Sequence, residues 1–198
     1  MKRLLIILCI LLFTVPCLAN QIIIGKKKAA VSCSYTSKNA QTGTGGNINF
    51  NFSGGQSNAV SFAANGTYSP RRITVSLKKT GTPTATIYFY IRQDAGESTS
   101  RTEPGAVVIT ATGTLECEDL TTDYAAYTVD IAVEDTAQLT NANIYWLHLV
   151  GTTSSSNYLQ WQYSSSGSEE WDYDDIASSS WTQNDTSVTG NFTIWSCE

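Results

Sequence analysis

Alternation of apolar and polar residues at every second position is the feature that most constrains how this chain can fold. The segments "NINFNF" (47–52), "RRITVSLKK" (71–79) and "TATIYFYIR" (84–92) show it, and similar runs separated by turn residues continue along the chain. Successive side chains of a β-strand point to opposite faces, whereas a helix needs an apolar stripe with a period near 3.6 residues. Because no such stripe is visible, the pattern predicts an all-β protein of about ten strands.

An all-β chain has no helices to cover its sheets, so its apolar strand faces must pack against each other. This predicts a two-sheet antiparallel β-sandwich, a jelly roll, over residues 47–198. Within it, the alternation puts Ile73, Val75 and Leu77 on the inner face of their strand. Residues 20–46 have a low apolar content and end in "TGTGG", which indicates an N-terminal tether or an irregular first strand.

The first nineteen residues have the features of a secretory signal peptide. Lys2 and Arg3 precede a nearly unbroken apolar run at 4–13, and small residues follow up to Ala19. The apolar run is shorter than the roughly 20 residues that a membrane-spanning helix needs. We therefore expect residues 1–19 to be removed and the mature chain to be secreted or held at the cell surface, with no membrane span.

The charge balance is acidic. The sequence has 12 basic and 17 acidic residues, and loss of Lys2 and Arg3 with the signal peptide leaves 10 against 17, a net charge of −7. Nucleic acid demands a cationic surface for its phosphates, so a nucleic-acid partner is not expected.

Three cysteines remain after the signal peptide, at positions 33, 117 and 197. An exported protein can form disulfides, and an odd count leaves one thiol buried, free or intermolecular. Cys33 and Cys197 bracket the folded part, and the ends of a sandwich often lie on neighbouring strands, which favours their pairing. Cysteine and histidine are not clustered in the spacing of a zinc site.

Two neighbouring segments, "NYLQWQYS" (157–164) and "EEWDYDD" (169–175), concentrate aromatic, amide and acidic side chains. In an extended strand, Leu159, Trp161 and Tyr163 share one face, which is typical of core. Tyr158, Gln160 and Gln162 share the other face. Aromatic rings bind the C–H faces of sugars, and amides bind the hydroxyls. The predicted glycan-binding residues are Tyr158, Gln160, Gln162, Trp171 and Tyr173. The alternative is that they are sandwich core and ordinary exposed tyrosine.

The second segment also offers oxygen ligands for calcium, which takes six to eight of them. Alternate carboxylates of one straight strand share a face, so a bend near Asp174 and Asp175 would be needed to bring all of them together. The candidate ligands are Glu170, Asp172, Asp174 and Asp175. A structural calcium is the only cofactor that the sequence suggests.

Catalytic signatures are weak. A glycosidase needs two carboxylates held across a bound sugar, and any acidic surface can resemble such a pair. His148 is the only histidine, lies within a predicted strand, and has no Gly-x-Ser-x-Gly motif to accompany it. We expect His148 to be a hydrogen-bonded or partly exposed strand residue, and the protein not to be an enzyme.

The order of several segments resembles a known family. "RRITVSLKKTGTPTATIYFYIRQDAG", "LTTDYAAYTVDI", "NIYWLHLVGTTSSSNYLQWQYSSSG" and "SSWTQ" follow one another within residues 60–196. This order is similar to that of the "choice-of-anchor" modules of bacterial exported and surface proteins. The resemblance implies a bacterial source and a jelly roll similar to galactose-binding-like domains and carbohydrate-binding modules. It implies no particular activity.

Two functions fit these observations. The first is adhesion to a glycan or matrix component through the face formed near residues 158–173. The second is a structural or assembly subunit of an extracellular appendage or surface layer, without a small ligand. A free Cys117 and exposed sheet edges would favour the second, because unpaired edges template pairing between chains.

Overall fold

Strands make up most of the described part of the chain. The computed structural model describes residues 33–198 except 44–45, 51–55, 97–98, 100, 133–136, 152–153, 155, 165–170, 176–179 and 186–188. Within these bounds it contains twelve strands of at least five residues, two strands of two residues, a 3₁₀ turn at Cys117–Asp119 and no α-helix. No helix in the described part of the chain is long and apolar enough to cross a bilayer.

The strands form two antiparallel sheets. The first sheet contains β1 (Tyr35–Gln41), β2 (Gly46–Phe50), β4 (Pro70–Thr80), β8 (Ala125–Asp130), β10 (Tyr158–Ser164), β13 (Thr189–Gly190) and β14 (Phe192–Cys197). The second sheet contains β3 (Gln56–Ala63), β5 (Thr86–Asp94), β6 (Pro104–Thr110), β7 (Leu115–Glu116), β9 (Ile144–Val150), β11 (Trp171–Asp175) and β12 (Ser180–Asp185). The predicted two-sheet antiparallel sandwich is confirmed.

The chain moves from one sheet to the other at most connections. It passes from β3 to β4 to β5, and later from β8 through β9 and β10 to β11, changing sheet at each step. Strands that are adjacent in sequence therefore face each other across the core more often than they pair. This alternation decides which side chains share a surface, because neighbours in sequence end up on opposite sides of the molecule.

The core lies between the sheets, where the period-two alternation places it. On β4, Ile73, Val75 and Leu77 are each about 1% exposed, as the sequence predicts. The largest side chain that β10 contributes is Trp161, which is fully buried. Removal of such side chains from water is the main favourable contribution to folding.

β1 joins the first sheet by pairing with β14, so the first described strand begins at Tyr35, within the segment 20–46. A disulfide joins Cys33 to Cys197, with the two Cα atoms 5.3 Å apart, next to this pairing. This is the pair that the sequence analysis favours. It fixes the edge strand β1 to the C-terminal strand.

Cys117 is a free thiol and has no exposed surface. Burial raises the pKa of Cys117 to about 11, so the group stays a neutral thiol at physiological pH. A buried neutral thiol does not react readily with another chain. Cys117 is therefore free, as an assembly subunit would favour, but its burial keeps it from linking chains in the folded state.

The disulfide closes a long loop, with its cysteines 164 positions apart. We expect the double variant Cys33→Ser/Cys197→Ser to lose roughly 3–5 kcal/mol of unfolding free energy, because the unfolded chain regains loop entropy. Urea denaturation measures this loss. A reductant should lower the stability of the parent protein and leave the double variant unchanged. Equal stability of parent and double variant would contradict the expectation.

Candidate functional site

One edge of β4 is shared by two strands. β14 pairs with its first half, up to Val75, and β10 pairs with its second half, from Leu77. Between them, the backbone N–H of Ser76 donates to the carbonyl of Asn191 at 3.3 Å, and the Asn191 N–H donates to the carbonyl of Gln162 at 2.7 Å. Ser76 of β4, Gln162 of β10 and Asn191, which links β13 to β14, thus meet at one place, which we call the strand junction.

A buried tryptophan holds the strand junction from the core side. The indole Nε1 of Trp161 donates to the carbonyl oxygen of Asn191 at 2.8 Å. Gly190 precedes Asn191, and a Cβ atom on Gly190 would overlap the indole ring of Trp161. A glycine is therefore required where the end of β13 passes the ring.

A depression of about 380 Å³ lies over the strand junction on the outer face of the first sheet. The face is outer because Thr74, Ser76 and Gln162 alternate with core residues along their strands. The depression is lined by Gln41, Thr42, Gly43, Thr74, Val75, Ser76, Ala126, Gln162, Asn191, Phe192 and Thr193. Most of the exposed wall is carbon, interrupted by a few polar atoms. This volume lies near the lower end of the range of small-molecule sites.

Some polar atoms that line the depression are hydrogen-bonded to one another. Ser76 Oγ donates to Gln162 Oε1 at 2.8 Å, and Asn191 Nδ2 donates to the carbonyl of Gly43 at 2.6 Å. Asn191 Oδ1 is buried and has no hydrogen-bond partner among the described residues. A buried acceptor without a partner costs about 1–3 kcal/mol. The oxygen has almost no accessible surface, so it is enclosed by its neighbours and does not face the open part of the depression.

Three aromatic side chains contact outward-facing residues of β4, and none of the three lines the depression. Trp195 Nε1 donates to Thr74 Oγ1 at 3.0 Å, which places the half-buried indole next to the wall. Tyr35 lies under the guanidinium of Arg72, 3.8 Å from ring centre to Cζ. On the far side, the ammonium of Lys78 lies 4.6 Å from the ring centre of Tyr124.

The predicted glycan-binding residues divide between the two sheets. Tyr158, Gln160 and Gln162 share the outer face of β10, as predicted, and Gln162 lines the depression. Gln160 is 8% exposed, so little of it is open to a ligand. Trp171 and Tyr173 belong to β11 of the second sheet, where their backbones pair with β3. The structure brings together the first three residues and separates them from the other two.

The calcium prediction falls largely outside the described residues. Glu170 is not described, and only the backbones of Asp172, Asp174 and Asp175 are described, as part of β11. Among the side chains that are described, no three acidic, histidine or cysteine groups come together. Calcium binding by these four residues stays a prediction.

A second polar cluster, on the outer face of the second sheet, was not predicted from the sequence. Its centre is His148, which is 3% exposed although it lies on an outward position of β9. The Nε of Arg92 donates to His148 Nδ1 at 3.0 Å, and His148 Nε2 lies 2.7 Å from Ser57 Oγ. The ring of Trp181 meets His148 edge-on at 5.1 Å. The expected hydrogen-bonded strand histidine is thus confirmed.

The hydrogen bonds fix the chemistry of His148. Arg92 can only donate, so Nδ1 is the acceptor and the imidazole proton is on Nε2. Nε2 therefore donates to Ser57 and cannot accept the proton of the serine hydroxyl. In an activated serine nucleophile the imidazole accepts the serine proton, so His148 does not activate Ser57.

Asp94 completes the same face near the end of β5. Its carboxylate accepts hydrogen bonds from Trp146 Nε1 at 2.8 Å and from the backbone N–H groups of Thr102 and Gly96 at 2.9 Å each. These contacts tie the polar loop after β5 to the sheet. The sequence carried no signal for this cluster, because outward strand positions with polar residues normally face water.

Comparison of the chain with protein-family models and with curated proteins finds no match. The candidate site is therefore defined by its own geometry, namely the depression at the strand junction.

Burial, followed by the charge of Arg92, lowers the pKa of His148 to about 3. In the unfolded chain the same group titrates near pH 6.5, so the unfolded state binds the proton first as the pH falls. We expect stability to drop by about 1.4 kcal/mol per pH unit between these pKa values on account of His148 alone.

Urea denaturation of the parent and of His148→Gln between about pH 6 and pH 4 measures this effect, because the variant lacks the titrating group while all carboxylates remain. The stability difference between the two proteins should shrink steadily as the pH falls. A constant difference across the range would show that His148 is not buried as a neutral ring.

Proposed function

We propose that this chain is an exported, non-enzymatic β-sandwich module that binds a glycan or matrix component outside the cell. The binding surface is the outer face of the first sheet, at the depression over the strand junction. The observation that carries the proposal is the depression itself, whose mostly carbon wall includes the side-chain amide of Gln162, with no described partner for its Nε2. Sugars present C–H faces to such carbon and hydroxyl oxygens to such a donor.

The surroundings of the depression support binding over hydrolysis. Its described lining contains no carboxylate, histidine, cysteine or lysine. Hydrolysis of a glycosidic bond by the usual route needs two carboxyl groups flanking the bound sugar. A ligand in the depression would meet amides and hydroxyls, which orient it without transferring its protons.

Export is supported by the disulfide and by the signal-like residues 1–19. Disulfides persist in oxidising compartments and are rare in the cytosol. The Cys33–Cys197 bridge fastens β1 next to β14, and β1 leads into Gln41 at the rim of the depression. The bridge therefore also holds in place the strand that carries Gln41 at the rim of the depression, and it persists outside the cell.

An assembly subunit is the second candidate, and one observation favours it. β6 lies at the end of the described strand order of the second sheet, and its Val107 is 42% exposed. An apolar edge strand can pair with another chain. The register shifts between β5 and β6 make this edge irregular, which hinders such pairing. Light scattering discriminates, since self-association that grows with concentration would favour assembly.

Filling the depression tests the proposed function. Ala126 is exposed on β8 and lines the depression, so Ala126→Trp places a large ring in it without disturbing the core. We expect Ala126→Trp to lose at least about tenfold in affinity for the immobilised oligosaccharide that the parent binds. Its unfolding temperature should match that of the parent.

The matched control is Ala106→Trp, which makes the same change at an exposed alanine of β6 in the other sheet. The control should bind like the parent. Equal binding by parent, Ala126→Trp and control would place the site elsewhere, and no binding by the parent to any oligosaccharide of a broad array would reject the proposal.

A further inference from the structure

The depression has no charged lining in the described part of the chain. Its described residues are amides, hydroxyls, glycine, alanine and inward-facing apolar residues. Proteins that recognise carboxylates, sulfates or phosphates place arginine or lysine against the anion, because a charge-assisted hydrogen bond is about twice as strong as a neutral one. The depression offers an anionic group no such partner.

The cations of the same face are engaged away from the depression. Arg72 Nε lies 2.8 Å from Asp130 Oδ1, and its guanidinium covers Tyr35. Lys78 is directed to the ring of Tyr124. Neither side chain lines the depression, and the protein as a whole carries a net charge of −5. An anionic ligand would therefore meet a field that disfavours its approach.

Gln162 supplies a neutral hydrogen-bond donor to the depression. Its Oε1 accepts from Ser76, and its Nε2 has no partner in the described part of the chain. A sugar hydroxyl can accept from this amide while it donates elsewhere, because each hydroxyl both donates and accepts.

We infer that the depression selects uncharged glycans and discriminates against uronic, sulfated and sialylated ones, with Gln162 as the specificity-determining residue. This inference rests on the proposed glycan-binding function and goes further by naming the ligand class. Discrimination of this type comes from the cost of desolvating an anionic group where no cationic partner replaces its water.

The experiment uses matched oligosaccharides of equal length and linkage: β-1,4-glucose against β-1,4-glucuronate, and α-1,4-galactose against α-1,4-galacturonate. Affinities of the full mature chain are measured by calorimetry at low and at physiological ionic strength. We expect at least about tenfold tighter binding of the neutral member of the bound pair, with affinity independent of salt.

Two variants link the preference to the residues. Gln162→Glu keeps the acceptor for Ser76 but replaces the amide donor with a carboxylate, and it should weaken neutral binding by at least about tenfold. Gln93→Glu is the matched control, an exposed glutamine of the second sheet, and should leave binding unchanged. Thermal unfolding of both variants verifies folding.

The outcomes separate the two proposals. Binding of neutral oligosaccharides that is lost in Gln162→Glu supports both. Equal or tighter binding of the acidic member, lost when Ala126→Trp fills the depression, keeps the proposed function and overturns this inference. Neutral binding that Gln162→Glu leaves intact overturns the role of Gln162. Absence of binding to every oligosaccharide overturns the proposed function and this inference with it.

Discussion

The hydrogen bond from the Trp161 indole to the carbonyl of Asn191 is the interaction on which the strand junction depends. A buried indole N–H needs an acceptor. Here the acceptor is the backbone carbonyl of Asn191, the residue that links β13 to β14. The carbonyl of Asn191 also accepts from Ser76, so both of its lone pairs are used. The absence of a side chain at Gly190 lets the strand approach the ring closely enough for this bond.

Strand geometry links the buried Trp161 to the outward-facing Gln162. Trp161 and Gln162 are consecutive, so one points into the core and the other into the depression. The fully buried ring fixes the backbone from which the outward amide projects. A site built on strands that are fixed in this way loses little conformational entropy when a ligand binds.

The sequence predicted the parts of the fold that depend on local alternation. Ile73, Val75 and Leu77 are buried where the period-two pattern puts them, and the outward face of β10 carries Tyr158, Gln160 and Gln162 as expected. Alternation specifies the faces of one strand but not the sheet that the strand joins. Two neighbouring segments could therefore be read as one surface, whereas β10 and β11 belong to different sheets.

The strand junction could not be predicted for a related reason. Ser76 and Gln162 are 86 positions apart, and their contact depends on the order of strands in the sheet. His148 shows the opposite case, in which an outward strand position became buried because Arg92 and Trp181 cover it. In both cases the deciding contacts come from distant strands, and no local pattern records them.

The central claim is that the depression at the strand junction is where this protein meets its ligand. Titration of the ¹⁵N-labelled mature chain with a bound oligosaccharide, followed by amide NMR spectra, tests it most directly. The account predicts that the largest shifts fall on the side-chain amides of Gln162 and Asn191 and on the backbone around Ser76. Shifts confined to the second sheet, around Arg92 and His148, would contradict it.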